Sequence, residues 1–144
     1  MKFRTLVICF LIAISVAGVG LHGQGSLEIR AASSTPVAGW AQMSTPQGDR
    51  LWVSPASTLT SADIARAESR AQPDGQRAVG VIFTDDGSRK MAQLSTAQIN
   101  KPIAMLLDGK VVWAPVVRSA ITTEAMLTGV TPDVLERVLI AIKK

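Results

Sequence analysis

The sequence predicts a single α+β domain over residues 26–144, a mostly antiparallel sheet with two or three helices packed on it. Three observations carry that expectation. Asp108-Gly109 separates the apolar run Ile103 to Leu107 from the arm Lys110 to Val117. Asp-Gly in that setting marks a hairpin, because a type I′ turn needs positive φ at both central residues. Ala78-Val79-Gly80-Val81-Ile82-Phe83 is rich in β-branched residues, as a central strand is. Thr131-Pro132 opens a helix with proline at its first position, and Val134, Leu135, Val138, Leu139 and Ile142 form its apolar stripe.

The remaining elements follow in chain order. Leu27-Glu28-Ile29-Arg30-Ala31 alternates apolar and polar, as a half-buried strand does, and Ser33-Ser34-Thr35-Pro36 breaks it. Val37 to Met43 and Arg50 to Ser54 are short extended segments around the turn Pro46-Gln47-Gly48-Asp49. Leu51-Trp52-Val53 is apolar on both faces and reads as a buried strand stopped by Pro55. Thr60 or Ser61 caps a helix, with Asp63 in its first turn and Ile64, Ala67 and Ala71 near helical spacing, until Pro73-Asp74-Gly75 ends it. Asp85 or Asp86 caps a helix over Gly87 to Leu94, and a second short turn or helix spans Thr96 to Asn100 before Pro102. In the hairpin, Pro115 makes the second arm an edge strand or a bulged one, because proline cannot donate to a ladder. Met126-Leu127-Thr128-Gly129 reads as one more short strand, and Lys143-Lys144 suit the C-terminal end of the last helix dipole.

Residues 1–25 have the composition of a secretory signal peptide. Lys2 and Arg4 precede the apolar stretch Leu6 to Val19, and Gly18, Gly20, Gly23 and Gly25 supply small residues for cleavage after Gly20 or after Gly25. The stretch is short of the ~20 apolar residues that span a bilayer; an uncleaved N-terminal anchor is the alternative reading. Cys9, the one cysteine, lies too early in the run to be acylated after cleavage. Two of the 15 basic residues belong to this segment, which leaves 13 against 11 acidic ones and a net charge of +2. The charges are interspersed, without the basic patch and motif that nucleic-acid binding requires, so no nucleic-acid partner is expected.

The chemistry is restricted as well. His22, the one histidine, stands at the signal junction, so the mature chain is expected to lack both His and Cys. That removes Ser-His-Asp and Cys-His catalysis and the usual zinc ligands. Asp85-Asp86-Gly87 is a conceivable cation-binding pair, but the further oxygen ligands at fixed steps are missing, and a helix cap accounts for it better. Ser88 and Lys90 are two apart and do not share a helix face, and Ser119 is too far along the arm from Lys110. No catalytic residue, metal or cofactor is expected. Trp40, Trp52 and Trp113 are the aromatics suited to anchoring a partner. Trp113 is the most telling, on the edge arm beside Pro115, where a partner peptide could add as a strand; the other reading is a half-buried core tryptophan.

The order of these motifs resembles the head subdomain of the first periplasmic domain of SecD, the membrane protein that assists protein export with SecF. The matching pieces are Leu27-Glu28-Ile29-Arg30 with Pro36, Leu59-Thr60-Ser61-Ala62-Asp63-Ile64, and Val79-Gly80-Val81-Ile82-Phe83-Thr84. Gly87-Ser88-Arg89-Lys90-Met91-Ala92 and Ile103-Ala104-Met105-Leu106-Leu107-Asp108-Gly109-Lys110-Val111 follow, and then Ala114-Pro115-Val116-Val117-Arg118 with Ile121. The resemblance runs from about Leu27 to Gly129 and implies an exported, non-catalytic, protein-binding module, periplasmic or secreted. Its implied partners are exported or unfolded secretory proteins, or translocon and other envelope proteins. SecD also carries transmembrane helices and a base subdomain, for which 144 residues leave no room. The expectation is therefore a head that keeps the contact surface without the driven motion. Trp113 and Pro115 are the candidate contact residues, together with the hairpin tip Asp108, Gly109 and Lys110. A second reading makes that tip the inserting element of a regulator or inhibitor of an envelope enzyme.

Overall fold

The structure, a computed structural model, describes residues 26–142. The signal-like segment with Cys9 and His22, and the terminal Lys143-Lys144, lie outside the described residues. In chain order the strands are β1 (Leu27–Ser33), β2 (Ala41–Ser44), β3 (Arg50–Val53), β4 (Leu59–Thr60), β5 (Ile64–Ala71), β6 (Arg77–Phe83), β7 (Ile103–Leu107), β8 (Lys110–Trp113) and β9 (Glu124–Leu127). Helix α1 (Asp85–Ala97) lies between β6 and β7, and α2 (Pro132–Ile142) closes the described chain. The architecture is α+β, two curled antiparallel sheets with two helices packed against them, as the sequence predicts.

The larger sheet runs β2-β3-β1-β7-β8. β1 pairs β7 along its length, from Leu27 opposite Leu107 to Ala31 opposite Ile103. Its other side is shared by β4 and β3. β7 is buried at all five positions. Ile103, Met105 and Leu107 join Leu27, Ile29, Val79, Val81, Met91 and Leu127 in the main core, while Ala104 and Leu106 meet Ala32, Leu51, Val53 and Val111 in a second cluster on the opposite face. Fully burying each of these large side chains stabilises the fold by about 1.5–3 kcal/mol. Trp52 is half-buried, so β3 is buried on one face where the sequence suggested two.

The Asp108-Gly109 turn forms as expected, with φ of 52° and 78°. The ladder shifts register at Met105/Leu106, which leaves Val112 as the bulged residue. Pairing resumes with Met105 opposite Trp113, and the Pro115 carbonyl then accepts the Ile103 amide at 3.1 Å, a bond that does not need the missing proline N–H.

The helix expected after Thr60 is absent. Ser61–Asp63 makes one 3₁₀ turn, and Ile64–Ala71 is a strand paired with β6. The start signal is real, since Asp63 Oδ2 accepts the Thr60 amide at 3.0 Å. The chain leaves that turn because β6 offers a full antiparallel partner. The apolar spacing of Ile64, Ala67 and Ala71 mimics a helix only because a bulge at Ala65 changes the phase of the strand; the period of two shows instead in Arg66, Glu68 and Arg70. The next helix is also capped one residue earlier than expected. Thr84 Oγ1 accepts the Gly87 amide at 3.0 Å, and Asp85 and Asp86 occupy the first turn, where negative charge suits the dipole. α1 then continues through Thr96 and Ala97, leaving only a turn at Gln98–Asn100, with Asn100 at φ 62°. The last strand begins two residues before its expected start. Thr131 Oγ1 accepts the Val134 amide at 3.3 Å and caps α2 as predicted.

Asp63 ties these parts together. Its carboxylate is buried and also takes Lys90 Nζ at 2.8 Å, while its carbonyl accepts the Thr84 amide at 2.9 Å. A Cβ on Gly87 would stand 2.1 Å from that carbonyl oxygen, so only glycine lets α1 start this close. Gly87→Ala is therefore expected to destabilise the domain by about 3 kcal/mol, read as a lower urea midpoint. Burial pushes the Asp63 carboxyl up, but the Lys90 and Thr60 hydrogen bonds and the Lys90 charge outweigh it, so the group lies below its ordinary 3.8. A depressed carboxyl stabilises the fold above the unfolded value, and that contribution is lost as pH falls below about 4 through the folded value. Urea midpoints measured from pH 7 down to pH 3 should fall less steeply in Asp63→Asn than in the parent.

Candidate functional site

The candidate contact residues fall into two places. Asp108, Gly109 and Lys110 form the hairpin tip, and Trp113 and Pro115 lie at the far end of β8, about 10 Å further along the strand. The tip is braced. The Asp108 amide donates to the Ser26 carbonyl at 2.9 Å, Asp108 Oδ1 accepts the Ser26 amide at 2.9 Å, and Arg137 Nη2 stands 3.8 Å from Oδ2. Lys110 is exposed and begins β8 opposite the end of β2, with a shallow cleft between them lined by Met43, Pro46 and Val111.

Beyond β8 the chain runs through residues 114–123 and returns as β9. Buried Ser95 of α1 holds this segment in place, and buried Gln98, the cap of that helix, fixes the neighbouring backbone. Ser95 Oγ donates to the Met91 carbonyl at 2.7 Å and accepts the Ile121 amide at 2.8 Å. Gln98 Nε2 donates to the carbonyls of Ala32 and Pro102, each at 2.8 Å. Val117 is bracketed on its backbone, its amide donating to the Lys101 carbonyl and its carbonyl accepting the Asn100 amide. The result is an open apolar groove between residues 113–118 and β9, lined by Trp113, Pro115, Val116, Ile121 and Met126, with Arg118 at one side. Trp113 is half-buried and packs on the main core, so it forms a wall of the groove and does not project as a free anchor. Val116 is 45% exposed.

The outer face of the smaller sheet, β5-β6-β9, carries a charge ladder. Arg66 Nε donates to Glu68 Oε1 at 2.8 Å, Arg70 Nη2 to Glu68 Oε2 at 3.3 Å, and Arg70 Nη1 lies 2.5 Å from Glu124 Oε1. The last contact is an ion pair off the line of a good hydrogen bond. The Arg66 and Arg70 hydrogen bonds hold the Glu68 carboxyl below its ordinary value. Gly80 makes room for the ladder, since a Cβ there would stand 3.0 Å from Glu124 Oε1. Asp85 and Asp86 stand in the first turn of α1, and Asp86 pairs with Arg89 on the helix surface. Among the described residues, no group of three or more His, Cys, Asp or Glu side chains stands close enough to hold a metal.

Trp113 and Pro115, the contact candidates suggested by the sequence, line this groove together with Val116, Arg118, Ile121 and Met126, which the sequence did not single out as contacts, nor did it place residues 113–118 across a groove from β9. The apolar run continuing from Trp113 through Val117 was the available signal, although residue spacing alone does not say which strand lies opposite.

Residues 38–135 match the sequence model of the SecDF P1 head subdomain. The chain belongs to that family. SecD of Acidaminococcus fermentans is 39% identical over 74 residues, which cover 51% of this chain and 18% of that protein. SecDF of Thermus thermophilus is 38% identical over 74 residues, covering 51% of this chain and 10% of that protein. The chain thus spans under a fifth of the length of these SecD relatives. The fold matches a solved SecDF, described as a membrane component that enhances protein export, at a TM-score of 0.64 and 23% identity over 83% of this chain and 62% of that one. It also matches SecDF in a super-membrane-facing form at a TM-score of 0.65 and 25% identity, over 83% of this chain and 19% of that one. Among the described residues no helix is long and apolar enough to cross a membrane.

Ser95→Ala would leave the Ile121 amide without its partner, at a cost of about 1–3 kcal/mol. Amide exchange at Ile121 and along residues 114–123 should quicken more than exchange in β1 or β7.

Proposed function

We propose that this P1 head works outside the cytoplasm as a non-catalytic protein-binding module that contacts polypeptides in transit through the export machinery. The observation that carries the reading is the open apolar groove beside Trp113 and Pro115, built on the fold of a family whose relatives are protein translocase subunits. An unfolded chain exposes apolar side chains and unpaired backbone, and a groove flanked by strand edges can satisfy both. The Asp108-Gly109-Lys110 tip, held by Ser26 and Arg137, would serve as a secondary contact; its bracing favours a fixed ridge over an inserting loop. Residues 1–25 would act as the export signal.

In-cell photo-crosslinking from position 116, and separately from position 113, tests the proposal with mass-spectrometric readout. Adducts to several secretory proteins or to translocon subunits are expected, more abundant from the exposed position 116. A blank from both positions, with the variants folded and exported, would refute contact through this face.

A further inference from the structure

The ladder that builds β9 leaves one of its sides open in a defined way. The Phe83 amide donates to the Thr123 carbonyl at 3.0 Å, and the register then places Val81 opposite Ala125 and Val79 opposite Leu127. In an antiparallel pair, alternate residues turn their N–H and C=O to the partner. Thr123, Ala125 and Leu127 therefore bond β6, while Glu124 and Met126 turn their backbone groups away from it. Among the described residues, no strand pairs that outer side and no other backbone group bonds it. The apolar groove borders the same edge, with Met126 on one wall and Val116 and Trp113 on the other.

Charge adds a preference. Glu124, the acid of the edge, is already neutralised by Arg70. Arg118 at the groove side has only the Asn100 Oδ1 contact at 3.5 Å, and neither it nor Lys101, whose carbonyl bonds Val117, has a carboxylate within ion-pair distance among the described residues. Arg118 therefore brings to the groove lining a cation without an acidic partner among the described residues. The geometry points to β9 as the receiving edge: an extended segment of an exported polypeptide adds there as a fourth strand, puts alternate apolar side chains into the groove, and sets an acidic residue against Arg118. This rests on the polypeptide-contact reading above and deepens it, because it moves the backbone contact from β8 to β9 and names the sequence class preferred. The edge offers only four residues, so pairing is brief, which suits a chain that must move on.

The test uses the isotope-labelled protein and two nine-residue probes that alternate valine and threonine, one ending in two aspartates and the other in two lysines. The aspartate probe should slow amide exchange at Glu124 and Met126 and bind about tenfold more tightly than the lysine probe, with Arg118→Glu removing that preference. Met126→Pro deletes an outward N–H without touching the β6 ladder. It should abolish protection at Glu124, and the near-native pairing signals of β6 serve as its folding control. Protection along Lys110–Trp113 instead, or equal binding of both probes, would overturn the β9 assignment while crosslinking from position 116 kept the broader reading alive. No binding of either probe, together with a blank from positions 113 and 116, would remove both.

Discussion

Burial of β7 on both faces organises this domain. Ile103, Met105 and Leu107 anchor the main core, Ala104 and Leu106 the cluster behind it, and β1 lies along its whole length. A strand buried on both sides cannot slip by one residue without exchanging large and small side chains between two packed clusters. The register of β1 and β8 is thereby set, and with it the direction in which the chain leaves β8. Residues 114–123 and the groove beside β9 are consequences of that exit.

The polar contacts that hold the site in place are few and buried. Ser95 in the last turn of α1 and Gln98, which caps that helix, satisfy backbone groups of the crossing segments, including the Ile121 amide and the Pro102 carbonyl. Asp63 does the same at the other end of α1, joining the 3₁₀ turn, the helix start and Lys90. In the interior a missing partner costs more than a present one contributes, so these three side chains restrict the loops more than their number suggests. The contact face, by contrast, is apolar, open and edged by backbone. Rigid placement of an adaptable surface suits the polypeptide contact proposed above.

Surface charge divides along the same line. The Arg66–Glu68–Arg70–Glu124 ladder covers the outer face of β5, β6 and β9, and the missing side chain of Gly80 beneath it allows Arg70 and Glu124 to approach. An exposed ladder of this kind contributes little to stability. Its effect here is to occupy Glu124, so that the end of the groove near Arg118 is left with positive charge.

The sequence alone determined the local events: the Asp108-Gly109 turn, the Thr131-Pro132 helix start, the β-branched strand at Ala78–Phe83, and the α+β class that follows from them. Each rests on backbone preferences or periodicity within a few residues, and such information is carried by the residues themselves. Tertiary structure decided whether Ile64–Ala71 became helix or strand, since a helix start at Thr60 and Asp63 competed with a full partner in β6, and sheet pairing won. It also decided that Trp113 is a wall against the core, that Val116, Ile121 and Met126 share one groove, and that β9 keeps an open side. Those facts depend on which distant segments lie opposite one another, and that depends on the packing of two cores around β7, which no short stretch of the chain contains.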